Sequence, residues 1–142
     1  MINLQNIIRL YTSPQFFRFL LVGGVALGLH WAARLLFDIW TTYTTAIVLA
    51  YGVGMASAYA LNRVLVFPLS GNPMRIEIAY FFGVNIASFP FVWGAAEVLG
   101  RYVFTVLLEA DFARAAGHAV AITLPVFVNF AAHKFLTFRE QG

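Results

Sequence analysis

The fold class this sequence predicts is an all-α integral membrane protein. It has four transmembrane helices built as two parallel repeated hairpins. Three observations predict it. The 142 residues are 61% hydrophobic and only 11% charged, whereas a soluble domain carries roughly 25% charged residues. The apolar residues fall into four long runs, and a crossing helix needs about 20 of them. Polar and proline-containing breaks separate the runs and leave no stretch for a sizeable soluble domain. Any chemistry must therefore lie within the membrane, at its faces or on a partner.

The N-terminal segment, residues 1–12, interleaves Ile2, Leu4, Ile7, Ile8 and Tyr11 with Asn3, Gln5, Asn6 and Arg9, the pattern of a short interfacial helix. Ser13-Pro14 then supplies a helix cap and a first-turn proline, and the first span runs over about 16–37. It is too long for the apolar core of a signal peptide. A polar turn containing Asp38, Trp40 and Tyr43 leads to the second span, about 46–67. Pro68, Ser70, Gly71, Asn72 and Pro73 break the chain, and Asn72-Pro73 predicts a second capped start. The third span covers about 76–99, with Pro90 inside it, and the fourth about 118–138, with Pro125 inside it. Between them Phe104, Leu107, Leu108 and Phe112 fall at helical spacing, which predicts a short surface helix in the second outer loop.

Arg9, Arg18, Arg63, Arg75, Lys134 and Arg139 gather at one membrane face, while Arg101 and Arg114, with Arg34 near them, lie at the other. The positive-inside rule then places both termini in the cytoplasm. The net charge of +3 is scattered, so it reads as orientation signal and headgroup contact; no nucleic-acid partner is expected. There is no Cys, which removes thiolate chemistry. His30, His118 and His133 stand in different spans with no carboxylate at ligand spacing, so neither a metal site nor a cofactor is expected.

The two halves repeat. Ser13-Pro14 and Gly24 match Asn72-Pro73 and Gly83 at an offset of 59. At the ends of the second and fourth spans the offset is 71, where Tyr59, Ala60, Asn62, Arg63, Leu65 and Phe67 align with Phe130, Ala131, His133, Lys134, Leu136 and Phe138. Units that begin and end on the same face form a parallel repeat. Within them, Gly24, Gly28 and Ala32 make one stripe of small residues, and Ala50, Gly54 and Ala58 make another leading to Asn62. Such stripes allow close helix approach, within one chain or between two.

The matched span ends are the candidate site. Arg63 and Lys134 are cations suited to a phosphate headgroup, Arg through a planar fork and Lys as a point charge. Asn62, Asn129 and His133 supply polar neighbours, Asn129 and His133 on one helical face. The competing reading makes Arg63 and Lys134 topology anchors that reach to the interface, with Phe67 and Phe138 as belt aromatics. A secondary polar group comprises His30 and Arg34 in the first span and Asn85 and Glu97 in the third. There an Arg34–Glu97 pair would neutralise two costly charges. Asn85 lies near mid-membrane and suits an interhelical hydrogen bond.

These residues carry a family resemblance. Arg18-Phe19-Leu20-Leu21-Val22-Gly23-Gly24 opens the first span, Asn62-Arg63 followed by Phe67 closes the second, and His133-Lys134-Phe135-Leu136-Thr137-Phe138 closes the fourth. Over about Phe16 to Arg139 the chain resembles the GtrA-like family. The resemblance implies translocation of a polyprenyl-phosphate-linked monosaccharide, on undecaprenyl phosphate, across the bacterial cytoplasmic membrane for glycosylation of cell-surface polysaccharide. It also implies a membrane glycosyltransferase as neighbour. His30 departs from the acidic or amide residue common in that family, and His133 replaces its second Asn. The chain is expected to be a carrier and not an enzyme. Because four helices enclose little space, a homodimer is expected. Two further readings compete. One is a non-transporting adaptor for the glycosyltransferase. The other is a small proton-coupled multidrug exporter, which needs an acid deep in the first span, where this chain has none before Asp38.

Overall fold

The structure is a computed structural model that describes residues 3–139 and, at positions 118 and 122, the backbone alone. The His118 side chain thus lies outside the described residues. All the regular structure described is helical, and four helices are long and apolar enough to cross a membrane. The chain divides between Ser70 and Gly71 into two compact units, each a hairpin of two long helices.

The first unit opens with α1, Leu4–Tyr11. Asn3 caps it, accepting from the Gln5 N–H at 3.2 Å. Helix α2, Pro14–Phe37, starts as its sequence predicts, with Ser13 Oγ accepting from Phe16 N–H and Pro14 in the first turn. Helix α3, Tyr43–Leu61, is capped by Thr42, whose hydroxyl accepts from Thr45 N–H. The stripe on α3 is the packing seam: Ala46 and Ala50 are fully buried and Asn62, on the same face, is 3% exposed. At Gly54 a Cβ would sit 2.8 Å from His30 Cβ, so glycine lets α2 and α3 close on each other. The stripe on α2 is not used in this way. Gly24 and Gly28 are exposed and have open space where a Cβ would point.

In the second unit α4 is Met74–Val98 and α5 is Ala110–Ala132; both run through their internal prolines. Two sequence expectations fail here. The predicted surface helix does not form. Leu99–Val103 continues α4 as a π turn and Phe104–Val106 as a 3-10 turn, while 110–117 are the opening turns of α5. The cause is a crossing of two glycines. A Cβ on Gly117 would lie 2.5 Å from Gly100 N and 2.6 Å from Gly100 Cα. That contact packs the π turn after α4 against the opening turns of α5. Nor does Asn72 cap α4, where Pro73 holds the N-cap position with no side-chain bond. Its Nδ2 instead donates to the carbonyls of Leu136 at 2.8 Å and Thr137 at 2.9 Å.

The repeat is visible in how the hairpins end. Asn62–Val66 and His133–Thr137 are both five-residue π turns. Phe67 N–H donates to Asn62 O, and Phe138 N–H to His133 O, each at 2.8 Å. Phe67 and Phe138 are both buried. A π turn leaves carbonyls that the α-helical ladder would have satisfied. An amide answers in each unit: Gln15 Nε2 donates to Val66 O at 3.0 Å, and Asn72 to the end of the second turn. Asn72→Leu is expected to lower stability by about 1–2 kcal/mol through the loss of these bonds, read as a lower unfolding midpoint in detergent. An unchanged midpoint would show that this tie carries no stability.

Candidate functional site

Each of the two π turns that close the hairpins places one cation at its second position, Arg63 in the first unit and Lys134 in the second, and both side chains are half-buried. A π turn offsets the helical register by one residue, so the side chain there leaves the face it would otherwise occupy. The surroundings of the two turns differ. Asn62 donates from Nδ2 to Ala58 O at 2.8 Å, which settles the amide orientation. Its Oδ1 is then buried with no hydrogen-bond partner among the described residues. A buried acceptor left in that state is costly, so it is suited to a hydroxyl or water arriving from outside the chain.

At the matching place His133 is 2% exposed. Its ring stacks on Phe81 at 4.7 Å between centroids, and Nδ1 lies 3.0 Å from Thr137 Oγ1. Asn129, one turn earlier, bonds Ser88 of α4, Oγ to Oδ1 at 2.6 Å. Ser88 Oγ also lies 2.9 Å from Val84 O. One hydroxyl hydrogen cannot serve both, but turning the Asn129 amide over lets Nδ2 donate to Ser88 while Ser88 donates to Val84. Ser88 and Asn129 edge an apolar cavity of about 510 Å³ between α4 and α5, walled by Ala87, Phe91, Leu124 and Pro125 among others.

The secondary polar residues do not assemble into one group. Arg34 pairs with Asp38 at 3.1 Å and lies over the Tyr43 ring. Glu97 pairs with Arg101 at 2.6 Å. The charges that an Arg34–Glu97 pair would neutralise are thus met on their own helices. Asn85 donates to Phe81 O within α4 rather than across helices. His30 packs at Gly54, edge-on to Tyr51.

Sequence reasoning missed Gln15 and Ser88, and it reads Glu77 as an acid near the span-end cations that could remain solvated. Glu77 is fully buried in the first turn of α4, one turn from the Phe81 that covers His133. An acid three residues into a span reads as solvated. The repeat offers a better signal, because at the 59-residue offset Glu77 stands where the first copy has Arg18.

With the matched hairpins in view, the comparison with known families decides the classification. The family described as GtrA/DPMS, transmembrane domain, matches residues 18–138. The chain belongs to the GtrA/DPMS family. Comparison with curated proteins and with solved structures finds no match. Membership makes it a multi-pass membrane protein tied to the handling of polyprenyl-phosphate sugars. The match begins at Arg18 and ends at Phe138, so it contains both hairpin-closing π turns and all the candidate headgroup residues.

Proposed function

We propose that this GtrA/DPMS protein translocates a polyprenyl-phosphate-linked monosaccharide across the bacterial cytoplasmic membrane for cell-surface polysaccharide glycosylation. The observation that carries the proposal is the pair of matched π turns, each presenting one cation at the same position of its repeat. Arg63 and Lys134 each offer a cation to a lipid phosphate at the end of their own hairpin. Asn62 Oδ1 accepts from a sugar hydroxyl, and Asn129 and His133 shape the polar surroundings of Lys134. The chain acts as a carrier and not as an enzyme, as a homodimer, beside the glycosyltransferase that makes the lipid-linked sugar.

The test is reconstitution of the purified chain into vesicles containing a fluorescent polyprenyl-phosphate sugar on both leaflets. Transfer between leaflets is read by an impermeant quencher. The chain alone is expected to speed transfer. Transfer seen only when the glycosyltransferase is added would make the chain an adaptor.

The proposal places both termini in the cytoplasm, motivated by the six basic residues at one face. Single cysteines in place of Asn3 and Gly71 are expected to resist an impermeant thiol reagent in intact cells. Val106→Cys, at a position 79% exposed, is expected to react. Labelling at position 71 from outside would reverse the orientation.

A further inference from the structure

One difference between the two repeats accompanies a groove in the first unit. On α2, Gln15, Arg18 and Val22 share a face at spacings of three and four. Gln15 ties that face to the π turn through Val66 O, and Val22 is 4% exposed against the second helix. Arg18, between them, is exposed. It lies at the rim of a cavity of about 390 Å³ walled by Leu21, Val22, Val64, Leu65 and Pro68. Arg18 is the only charged residue in that lining. Arg34, Arg101 and Arg114 each pair with a carboxylate on their own helix. Among the described residues Arg18 has no such ion pair.

In the second repeat the corresponding space is filled. At the offset of 59, Val22 becomes Phe81, which stacks on His133, and Arg18 becomes Glu77, which is fully buried. A larger, buried ring stands in place of Val22 and a buried acid in place of Arg18. The first repeat therefore pairs a permanent cation with an apolar trough, a combination its own sister copy lacks.

We propose that this groove is a binding site for one anionic phospholipid of the surrounding bilayer. Its phosphate lies on the Arg18 guanidinium and the start of one acyl chain lies along Leu21, Val64 and Leu65. Charge complementarity selects the headgroup, since guanidinium meets phosphate through two parallel hydrogen bonds. The apolar walls select an amphiphile over a free anion, because Leu21 and Val64 are 71% and 67% exposed and gain by contact with a chain. A bilayer phospholipid, not the carried lipid, is the occupant because exposed apolar residues of a membrane-crossing hairpin wall the groove, and an accessible site fills by mass action with an abundant ligand. The site stands on the groove and its charge and does not depend on the transport reading.

Native mass spectrometry of the intact protein in neutral detergent, titrated with phosphatidylglycerol, tests this. One phosphatidylglycerol per chain is expected to bind at least tenfold more tightly than phosphatidylcholine. Arg18→Gln should remove that preference and Arg18→Lys should keep part of it. Leu21→Trp, which fills the trough and leaves the charge, should weaken both lipids. Arg101→Gln, at the opposite end of its hairpin, should change nothing. The proposal is overturned if Arg18→Gln keeps the preference, if Arg101→Gln loses it equally, or if inorganic phosphate competes as well as the lipid. Displacement of phosphatidylglycerol by a tenfold lower concentration of undecaprenyl phosphate would also overturn it, since the groove would then belong to the transported lipid.

Discussion

The Arg63→Ala, Lys134→Ala double variant is expected to lose roughly 100-fold or more of lipid-linked sugar transfer while inserting and folding normally. A hydrogen bond to a charged group contributes about 1.5–3 kcal/mol, so each single alanine variant should lose roughly 10- to 100-fold. Folding is spared because both side chains are half-buried at span ends, while the π turns are closed by backbone bonds and by Gln15 and Asn72. Arg63→Lys should recover only part of the activity, since an ammonium cannot reproduce the planar fork. Lys134→Arg should retain most of it. The initial rate of leaflet transfer, normalised to reconstituted protein, checks all five. Wild-type rates in both single alanine variants would leave Arg63 and Lys134 as membrane anchors.

Gly117→Ala is expected to be the most damaging single methyl that can be added to the second hairpin. The new carbon would meet Gly100 backbone at 2.5 Å, and backbone cannot rotate away as a side chain can. Overpacking of this kind costs about 1–3 kcal/mol and occasionally more. Gly83→Ala, in the same unit with open space at that point, is the matched control. It should be neutral or slightly stabilising, because alanine favours the helix over glycine by up to about 1 kcal/mol. Thermal unfolding of the two variants in one detergent separates them. Equal midpoints would mean that the Gly100–Gly117 crossing is not what holds the top of the hairpin.

The same crossing explains where sequence reading stopped. The spans were legible because apolar runs of that length have few other uses, and the cap at Ser13 and the stripe from Ala50 to Asn62 because their signals are local. Phe104, Leu107, Leu108 and Phe112 have a spacing that suits a separate surface helix and a continued one equally. Only the contact between Gly100 and Gly117, far apart in sequence, decides between them. Asn72 failed as a cap for a related reason. An Asn before a proline has the local chemistry of a helix start, yet its two donors are held by carbonyls 64 and 65 residues away. The site was half legible. Arg63 and Lys134 were visible from the repeat, because the alignment of the span ends is itself a statement about matched positions. Glu77 was not, since burial of a charge at a span end is a tertiary fact. Ser88 was not either, because a serine within an apolar run gives no sign of the amide it meets.

The central claim is that the cation at the end of each hairpin binds lipid phosphate, and direct binding tests it with no assumption about transport. Purified protein in neutral detergent is titrated with a short-chain polyprenyl phosphate and its thermal midpoint followed. Saturable stabilisation, weakened by salt and absent from the Arg63→Ala, Lys134→Ala double variant, is the expected result. A midpoint that does not respond, or one that rises equally in wild type and double variant, would contradict the account.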